Sequence, residues 1–509
     1  MSSLIDRHAK RLAGVLSCFD RVLIRGTLMG LGLPGAVGKF FKDRGIDTRD
    51  FPRWAKKLSG LIHENARQVA DENGLTIEFV RGKDFRKEDR IAEIRARRGE
   101  HPGLIHIFSA METCKTYRVA KNGKRTWMAK TGGKCLHYYF YFLDPELGLV
   151  FFRVATWAPF SVTVYFNGHS WLAQQLADRG IEHKLVDNVF VELERYRDAQ
   201  SIADRFDITR LHKALDLFAQ TFSPVVEELQ LAYHWSLQQV EYSCDLLFKR
   251  RGDLADLYQP LIRHALHSVR AEDVAFILGR GMPTKGELIS DVSKRHGFVR
   301  IKHRMDWASI KAYDKFGIAL RIETSTNDPS VFTHYRKVVQ KDGQIRFRVA
   351  KLRKSIYSLE VLREKLGAAN DRYLEYLSTL EVPLEGAQRL KQLAEPVTQN
   401  GRPYRGFNLF LGHDQQILES LARGEFAIYG FRNSDLRKHL PMTTAAVSRC
   451  LRRLVVHELI RKIPGTFKYF LTAAGRRAIV CALALKQSLL TPAFNRCDHI
   501  EIFTKLARI

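Results

Sequence analysis

Between Leu104 and Phe166 the hydrophobic period is two, and this alternation constrains the fold more than any other feature of the chain. Leu104–Met111, Leu136–Leu143, Leu147–Trp157 and Ser161–Phe166 are dense in aromatic and β-branched residues. Asn122-Gly123, Gly132-Gly133 and Asp144-Pro145 punctuate them as turns. Within Leu136–Leu143, His137, Tyr139 and Tyr141 share one face, and Tyr138, Phe140 and Phe142 share the other. An antiparallel sheet covered on at least one side is expected.

Elsewhere the periods mix. Arg21 to Arg25 reads as a short strand ending at Gly26, and Trp54 to Asn73 as a helix stopped by Gly74. Arg81–Arg98 reads as an exposed basic helix, and 169 to about 275 as helical, including Tyr233–Tyr242. Strands return at Val299–Met305, Ile310–Lys315 and Ala319–Thr324, with a hairpin over Val338–Val349 turned by Asp342-Gly343. Ser358–Leu380 reads as a further helix. The expected fold class is α+β: an antiparallel sheet core with helical insertions, followed by a small C-terminal unit. The segments are a mixed region at 1–100, a sheet region at 101–200, a helical region at 201–298, and a basic sheet at 299–380. A Pro/Gly-marked linker at 381–404, a compact unit at 405–490 and a tail at 491–509 complete the chain.

Charge narrows the partners. The 509 residues carry 82 Lys+Arg against 55 Asp+Glu, a net 82 − 55 = +27. Hydrophobic residues at 45% and charged residues at 27% exclude wholesale disorder and a rod. So large a surplus on a folded chain points to a polyanion, nucleic acid before membrane. No run reaches the roughly 18–20 apolar residues needed to span a bilayer. The opening residues hold no secretory segment, and the seven cysteines form no CxxC pair. A cytoplasmic protein with reduced thiols and no membrane partner is expected.

The C-terminal unit has an ordered pattern. Asp414–Ala422 reads as one helix, Ser434–His439 as a second and a third runs from Thr443 or Thr444 to Leu459. In the third, Val447, Leu451, Leu454 and Val455 keep core spacing, while Ser448, Arg449, Arg452 and Arg453 fall on the other side. Arg461 to Thr472 then reads as strand–turn–strand, with a last helix from Ala473. From Arg405 to Lys486 the balance is 14 − 5 = +9. The order resembles the winged helix-turn-helix of MarR-type regulators. That resemblance implies a third helix entering a duplex groove with Thr444, Ser448, Arg449, Arg452 and Arg453, and a wing setting Lys462 and Lys468 on the flanking backbone.

Residues 299–354 repeat the excess, 14 − 5 = +9. They contain Tyr313-Asp314-Lys315, then Arg321-Ile322-Glu323, then His334-Tyr335-Arg336. This block resembles the Tyr-Asp-Lys … Arg-Ile-Glu block of phage and plasmid rolling-circle replication initiators, and Phe19-Asp20-Arg21-Val22-Leu23-Ile24 is similar to their opening strand. The resemblance implies a metal-dependent DNA nicking and joining activity. Asp314 and Glu323, with His303, would hold Mg²⁺ or Mn²⁺; Lys315 and Arg321 would neutralise the scissile phosphate; Tyr335 would be the nucleophile, with Tyr313 and Tyr357 close by in sequence as alternatives. Cross-strand ion pairing among the same residues is the structural alternative. His137, His169, His234 and Glu241 match no zinc spacing and read as core. Gly279-Arg280-Gly281 lacks the Gly-Lys-Ser/Thr of a phosphate loop.

The whole layout is similar to that of a widespread bacterial protein family and suggests a replication-initiator-like or mobile-element protein. It would hold duplex DNA through the C-terminal unit and a single strand on the central sheet, and a homo-oligomer is compatible with it. The alternatives are a non-enzymatic transcription regulator and an RNA-binding protein.

Overall fold

The computed structural model describes residues 4–484 except 83, 100, 124, 281–287, 296–297, 341, 381–392, 409–411, 424–425 and 427–429. The chain divides into two compact units, Met1–Glu381 and Val382–Ile509.

In the first unit the strands are β1 (Leu12–Leu28), β2 (Ile77–Phe79), β3 (Gly103–Asn122), β4 (Arg125–Asp144), β5 (Gly148–Ala155), β6 (Val162–Asn167), β7 (His183–Val186), β8 (Val189–Leu193), β9 (Tyr233–Phe248), β10 (Leu288–Arg295), β11 (Phe298–Met305), β12 (Ala308–Lys315), β13 (Ala319–Thr326), β14 (Thr333–Val339) and β15 (Ile345–Lys351). Eleven of them form one sheet, in the order β10-β11-β12-β13-β9-β1-β6-β5-β4-β3-β2. Every pairing in it is antiparallel except β2 with β3. β7 with β8, and β14 with β15, are separate two-stranded ribbons.

The four segments expected within residues 1–380 therefore share one sheet. The central strands explain why. β1 is far longer than the expected Arg21–Arg25, and it pairs with β6 on one side and β9 on the other. Tyr233–Tyr242, expected as helix, is part of β9, and β7 and β8 also fall in the stretch read as helical. A register shift leaves Gln238 as an extra residue, since Leu23 pairs with Gln239 and Ile24 with Leu237. The buried parity then switches from Tyr233, Trp235 and Leu237 to Val240, Tyr242, Cys244 and Leu246. Leu237 and Val240 end three apart, which mimics a helical repeat.

Helices cover one face. Phe218 and Phe222, on the helix Ile208–Phe222, meet Phe142 and Phe140 of β4. Asn370, on the helix Leu359–Leu380, donates to the Tyr242 carbonyl on β9. On the other face, the helix Lys87–Arg98 covers an aromatic cluster that includes Phe108, Tyr139, Tyr141 and Phe151. The middle of that second face is polar.

In the second unit, the part of the expected linker at 381–392 and the tail at 491–509 lie outside the described residues. The rest of the linker includes the short hairpin β16 (Val397–Gln399) and β17 (Arg402–Tyr404). Helices Gly412–Leu421, Asn433–Arg437 and Thr444–Val456 follow, then the hairpin β18 (Ile460–Lys462) and β19 (Tyr469–Leu471), then the helix Ala473–Ala484. Thr443 caps the third helix by accepting from the Ala446 N–H. Ile417, Leu421, Leu436, Val447, Leu451 and Leu454 share one core. Among the described residues no helix is long and apolar enough to cross a membrane.

Candidate functional site

A bulge builds the site. Phe19 pairs with Tyr242 and Val22 with Val240, so Asp20 and Arg21 together face the single residue Glu241. Such a bulge re-aims a side chain, here the Asp20 carboxylate, toward the polar face. On the other side of β9, β13 pairs Arg321 with Asp245 and Glu323 with Ser243. β12 then pairs Tyr313 with Arg321 and Lys311 with Glu323. Directly paired residues share a face, so Lys311, Tyr313, Arg321, Glu323, Asp245 and Ser243 stand together.

Asp20, Glu241 and Glu323 come from three neighbouring strands, and one carboxylate oxygen from each lies within 4.8 Å of the other two. Asp20 is held from three sides. Asn167 donates to Oδ1 at 2.7 Å, Asn188 donates to it at 2.6 Å, and Arg321 reaches Oδ2 at 3.3 Å. The Asn167 side-chain oxygen also caps the helix Gly168–Ala177, accepting from the His169 and Ser170 N–H groups. One amide thus ties the helix start to the acid. Gly168 permits the approach, because a Cβ there would stand 2.2 Å from the Phe19 carbonyl oxygen. His169 is consequently driven into the cluster. Its Nε2 lies 3.3 Å from Ser243 Oγ, while its fully buried Nδ1 faces Asp20 Oδ1 at 3.6 Å and has no hydrogen-bond partner.

Arg321 is completely buried. It meets Asp245 bidentately and also donates to the Asn188 carbonyl at 2.5 Å. Lys311 bridges two acids: it hydrogen-bonds Glu323 and stands 3.5 Å from Glu241. Tyr313 donates to the other Glu323 oxygen at 2.6 Å, and Gln239 donates to Glu241 at 2.8 Å. Lys315 joins from the edge through the Asn188 side chain and Asp187.

The electrostatics differ from acid to acid. Burial opposes ionisation of Asp20, but the His169 ring and the Arg321 charge outweigh it and hold the carboxyl well below its ordinary range. Glu323 is also lowered: burial opposes, and the Lys311 ammonium prevails. Glu241 goes the other way, to about 7, through burial and the negative charge of Glu323. Burial and Glu323 together push the Tyr313 phenol far above its usual value. Asp20, Asp245 and Glu323 face the buried cations Lys311 and Arg321, and Glu241 adds a further negative charge as it ionises near pH 7. All-carboxylate donors suit a hard divalent cation.

Of the residues expected from the sequence, Arg321, Glu323 and Lys315 come together here. Three do not. Asp314 has the opposite parity on β12, and its carboxylate accepts from the Gly317 N–H in the turn. His303 lies on the helix-covered face, between Ser290 Oγ at 2.8 Å and the Tyr373 hydroxyl at 3.0 Å. Tyr335 lies on the β14–β15 ribbon, stacked on Phe347. Asp20, Glu241, Asp245, Lys311 and His169 were missed as members of the site, and Tyr313 stood only as an alternative to Tyr335. Period two on β9 would have aligned Glu241, Ser243 and Asp245, had the strand not been read as helix.

In the second unit Thr444, Ser448, Arg449, Arg452 and Lys462 are exposed and Lys468 is half-buried. Arg453, expected on the exposed side, is turned inward. It meets Asp414 bidentately at 2.7 and 2.8 Å and donates to the Arg405 and Gly406 carbonyls. Its ring-stacked position over Phe407, 3.8 Å from the centroid, completes a buried socket.

Comparison with protein-family models, curated proteins and solved structures finds no match.

Proposed function

We propose that this chain binds DNA and performs metal-dependent phosphodiester chemistry on the polar face of its large sheet. The carrying observation is the bulge that brings Asp20 together with Glu241 and Glu323 on one polar face. Asp20, Glu241 and Glu323 would hold a Mg²⁺ or Mn²⁺ ion, whose charge would serve to polarise a phosphoryl oxygen. Asn167 and Asn188 fix the Asp20 oxygen. Lys311 and Lys315 supply positive charge beside the acids for a phosphate. Tyr313 is the hydroxyl nearest the acids. In a joining reaction its oxygen would bond to phosphorus as the bond from phosphorus to one sugar oxygen breaks, the phenol proton passing to the Glu323 oxygen it contacts and on to the departing sugar oxygen. The number of phosphoester bonds is conserved, so the strand can be resealed.

The second unit is read as a winged helix gripping duplex DNA. Exposed Ser448, Arg449 and Arg452 along the third helix, and Lys462 beside the 82%-exposed Phe467 at the hairpin, support this reading.

Incubating supercoiled plasmid with Mn²⁺ and the full chain tests the site. Wild type yields open circles and a covalent protein–DNA adduct, and Glu323→Gln yields neither. A second reading has its own observation: Lys311–Glu323 and Arg321–Asp245 also form a closed ion-pair network that welds β12, β13 and β9. A wild type that neither nicks nor binds Mn²⁺ in calorimetry leaves that structural role standing and removes the enzymatic one.

A further inference from the structure

We propose that the β14–β15 ribbon is a binding surface for single-stranded nucleic acid, with bases stacked on Tyr335 and Phe347. The ribbon reverses the usual burial rule. Along β14, Thr333, Tyr335, Lys337 and Val339 are exposed while His334, Arg336 and Val338 are half-buried. Pairing places Tyr335 opposite Val349, Lys337 opposite Phe347 and Val339 opposite Ile345. This face is apolar, with Tyr335 62%, Phe347 56%, Ile345 65% and Val349 66% exposed, and the opposite face is exposed as well along β15, at Arg346 and Arg348. A contiguous exposed apolar face rimmed by charge marks an interaction surface.

Charge selects the occupant. Among the described residues of 333–351, Arg336, Lys337, Arg346, Arg348 and Lys351 stand against one acid, Asp342. A second copy of so basic a ribbon would be repelled, whereas a polyanion is attracted. Lys337 and Lys351 share the apolar face with the two rings, and Lys337 lies 5.5 Å from the Phe347 centroid. The rings are stacked on each other at 5.6 Å and 24°. Aromatic faces beside cations fit a polymer that offers phosphates and open base faces at once. A duplex offers the phosphates but keeps its base faces covered by stacking. The surface is built firmly enough to present the rings: Arg336 holds the Lys351 and Lys337 carbonyls, and Leu352 N–H donates to the Phe332 carbonyl at the base.

Fluorescence anisotropy of the full chain with a labelled oligothymidylate, in EDTA, tests this apart from any chemistry at the acidic cluster. The double variant Tyr335→Ala/Phe347→Ala should bind about tenfold more weakly or worse. Tyr335→Phe should bind like wild type, because the ring is kept, and duplex affinity should be the same in all three. Photocrosslinking wild type to 5-iodouracil DNA should label a peptide within 333–351, a readout that needs no variant. Unchanged oligothymidylate affinity in the double variant, or crosslinks that fall only elsewhere, would overturn the proposal. So would a dimeric wild type that the double variant converts to monomer without loss of nucleic-acid affinity.

Discussion

Arg321 Nε donates to Asp245 Oδ1, and a terminal nitrogen donates to Oδ2, each at 2.6 Å, in a site where neither side chain is more than 1% exposed. The two residues are direct cross-strand partners on β13 and β9, so the fork geometry follows from the register itself. The same guanidinium reaches Asp20 on β1. One cation thus couples three adjacent strands and sets the acid that the bulge presents.

Removing one partner should be costly. Asp245→Asn leaves the buried Arg321 charge with Asp20 alone, and urea unfolding should show a loss of about 3–5 kcal/mol. The paired replacement Arg321→Met/Asp245→Leu should recover much of that, since the desolvation cost vanishes with both charges. A loss for Asp245→Asn no larger than that of an exposed substitution would show that the pair is not holding the strands.

His303 predicts an acid sensitivity. Burial lowers its pKa from 6.5 to about 4, so it is neutral between Ser290 and Tyr373 at neutral pH. Between those two pH values the unfolded chain binds the extra proton and the native chain does not. Stability is therefore full above pH 6.5 and falls as pH drops toward 4, by about 2–3 kcal/mol. His303→Gln should flatten that part of the profile in denaturant titrations, and should leave Mn²⁺ affinity unchanged. A steep profile retained by the variant would assign the sensitivity to another group.

Two arginines on one helix should separate folding from binding. Arg453→Ala leaves Asp414 buried without its bidentate partner and should destabilise the second unit by about 3–5 kcal/mol. Asp414 itself is held near 2, against burial, chiefly by that partner, so the pair is fully charged at neutral pH. Arg449, by contrast, is exposed, and Arg449→Ala removes a surface charge. It should leave the melting transition in place, weaken duplex binding and lower the slope of log affinity against log salt by about 1. Equal effects of the two substitutions on folding would count against this division.

The sheet was legible where the period-two runs are long, as in Leu136–Leu143, because a covered strand cannot hide its alternation. It was illegible at β9, where the Gln238 bulge changes the parity and spaces Leu237 and Val240 like a helix. Arg321 and Glu323 were named because they match the Arg-Ile-Glu of the resembled block, and period two on one short strand sets both on one face. Asp20 and Glu241 come from distant segments, and only the sheet order brings them together. Asp314 and Arg453 show the converse limit. Adjacency in sequence placed Asp314 beside Lys315, yet neighbours on a strand point to opposite faces. Helical spacing alone set Arg453 outward, and the buried Asp414 draws it in.

Two tyrosines differ in their surroundings, and this separates them as candidates for the proposed nucleophile. Tyr313 sits against Glu323 with its hydroxyl at 2.6 Å, whereas Tyr335 is exposed on the separate ribbon and stacked on Phe347. The phenol of Tyr313 resists ionisation, because burial comes first among its causes and the Glu323 charge adds to it. As a nucleophile it must therefore lose its proton as the bond to phosphorus forms, and the Glu323 oxygen it already contacts is placed to accept it. With Mn²⁺ and labelled supercoiled plasmid, Tyr313→Phe should abolish the covalent adduct on a denaturing gel while Tyr335→Phe retains it. Tyr313→Phe should also preserve the fold, since only one hydroxyl is removed. Peptide mapping that places the adduct on Tyr335, with Tyr313→Phe still active, would transfer the nucleophile to the ribbon and reduce Tyr313 to a positioning residue for Glu323.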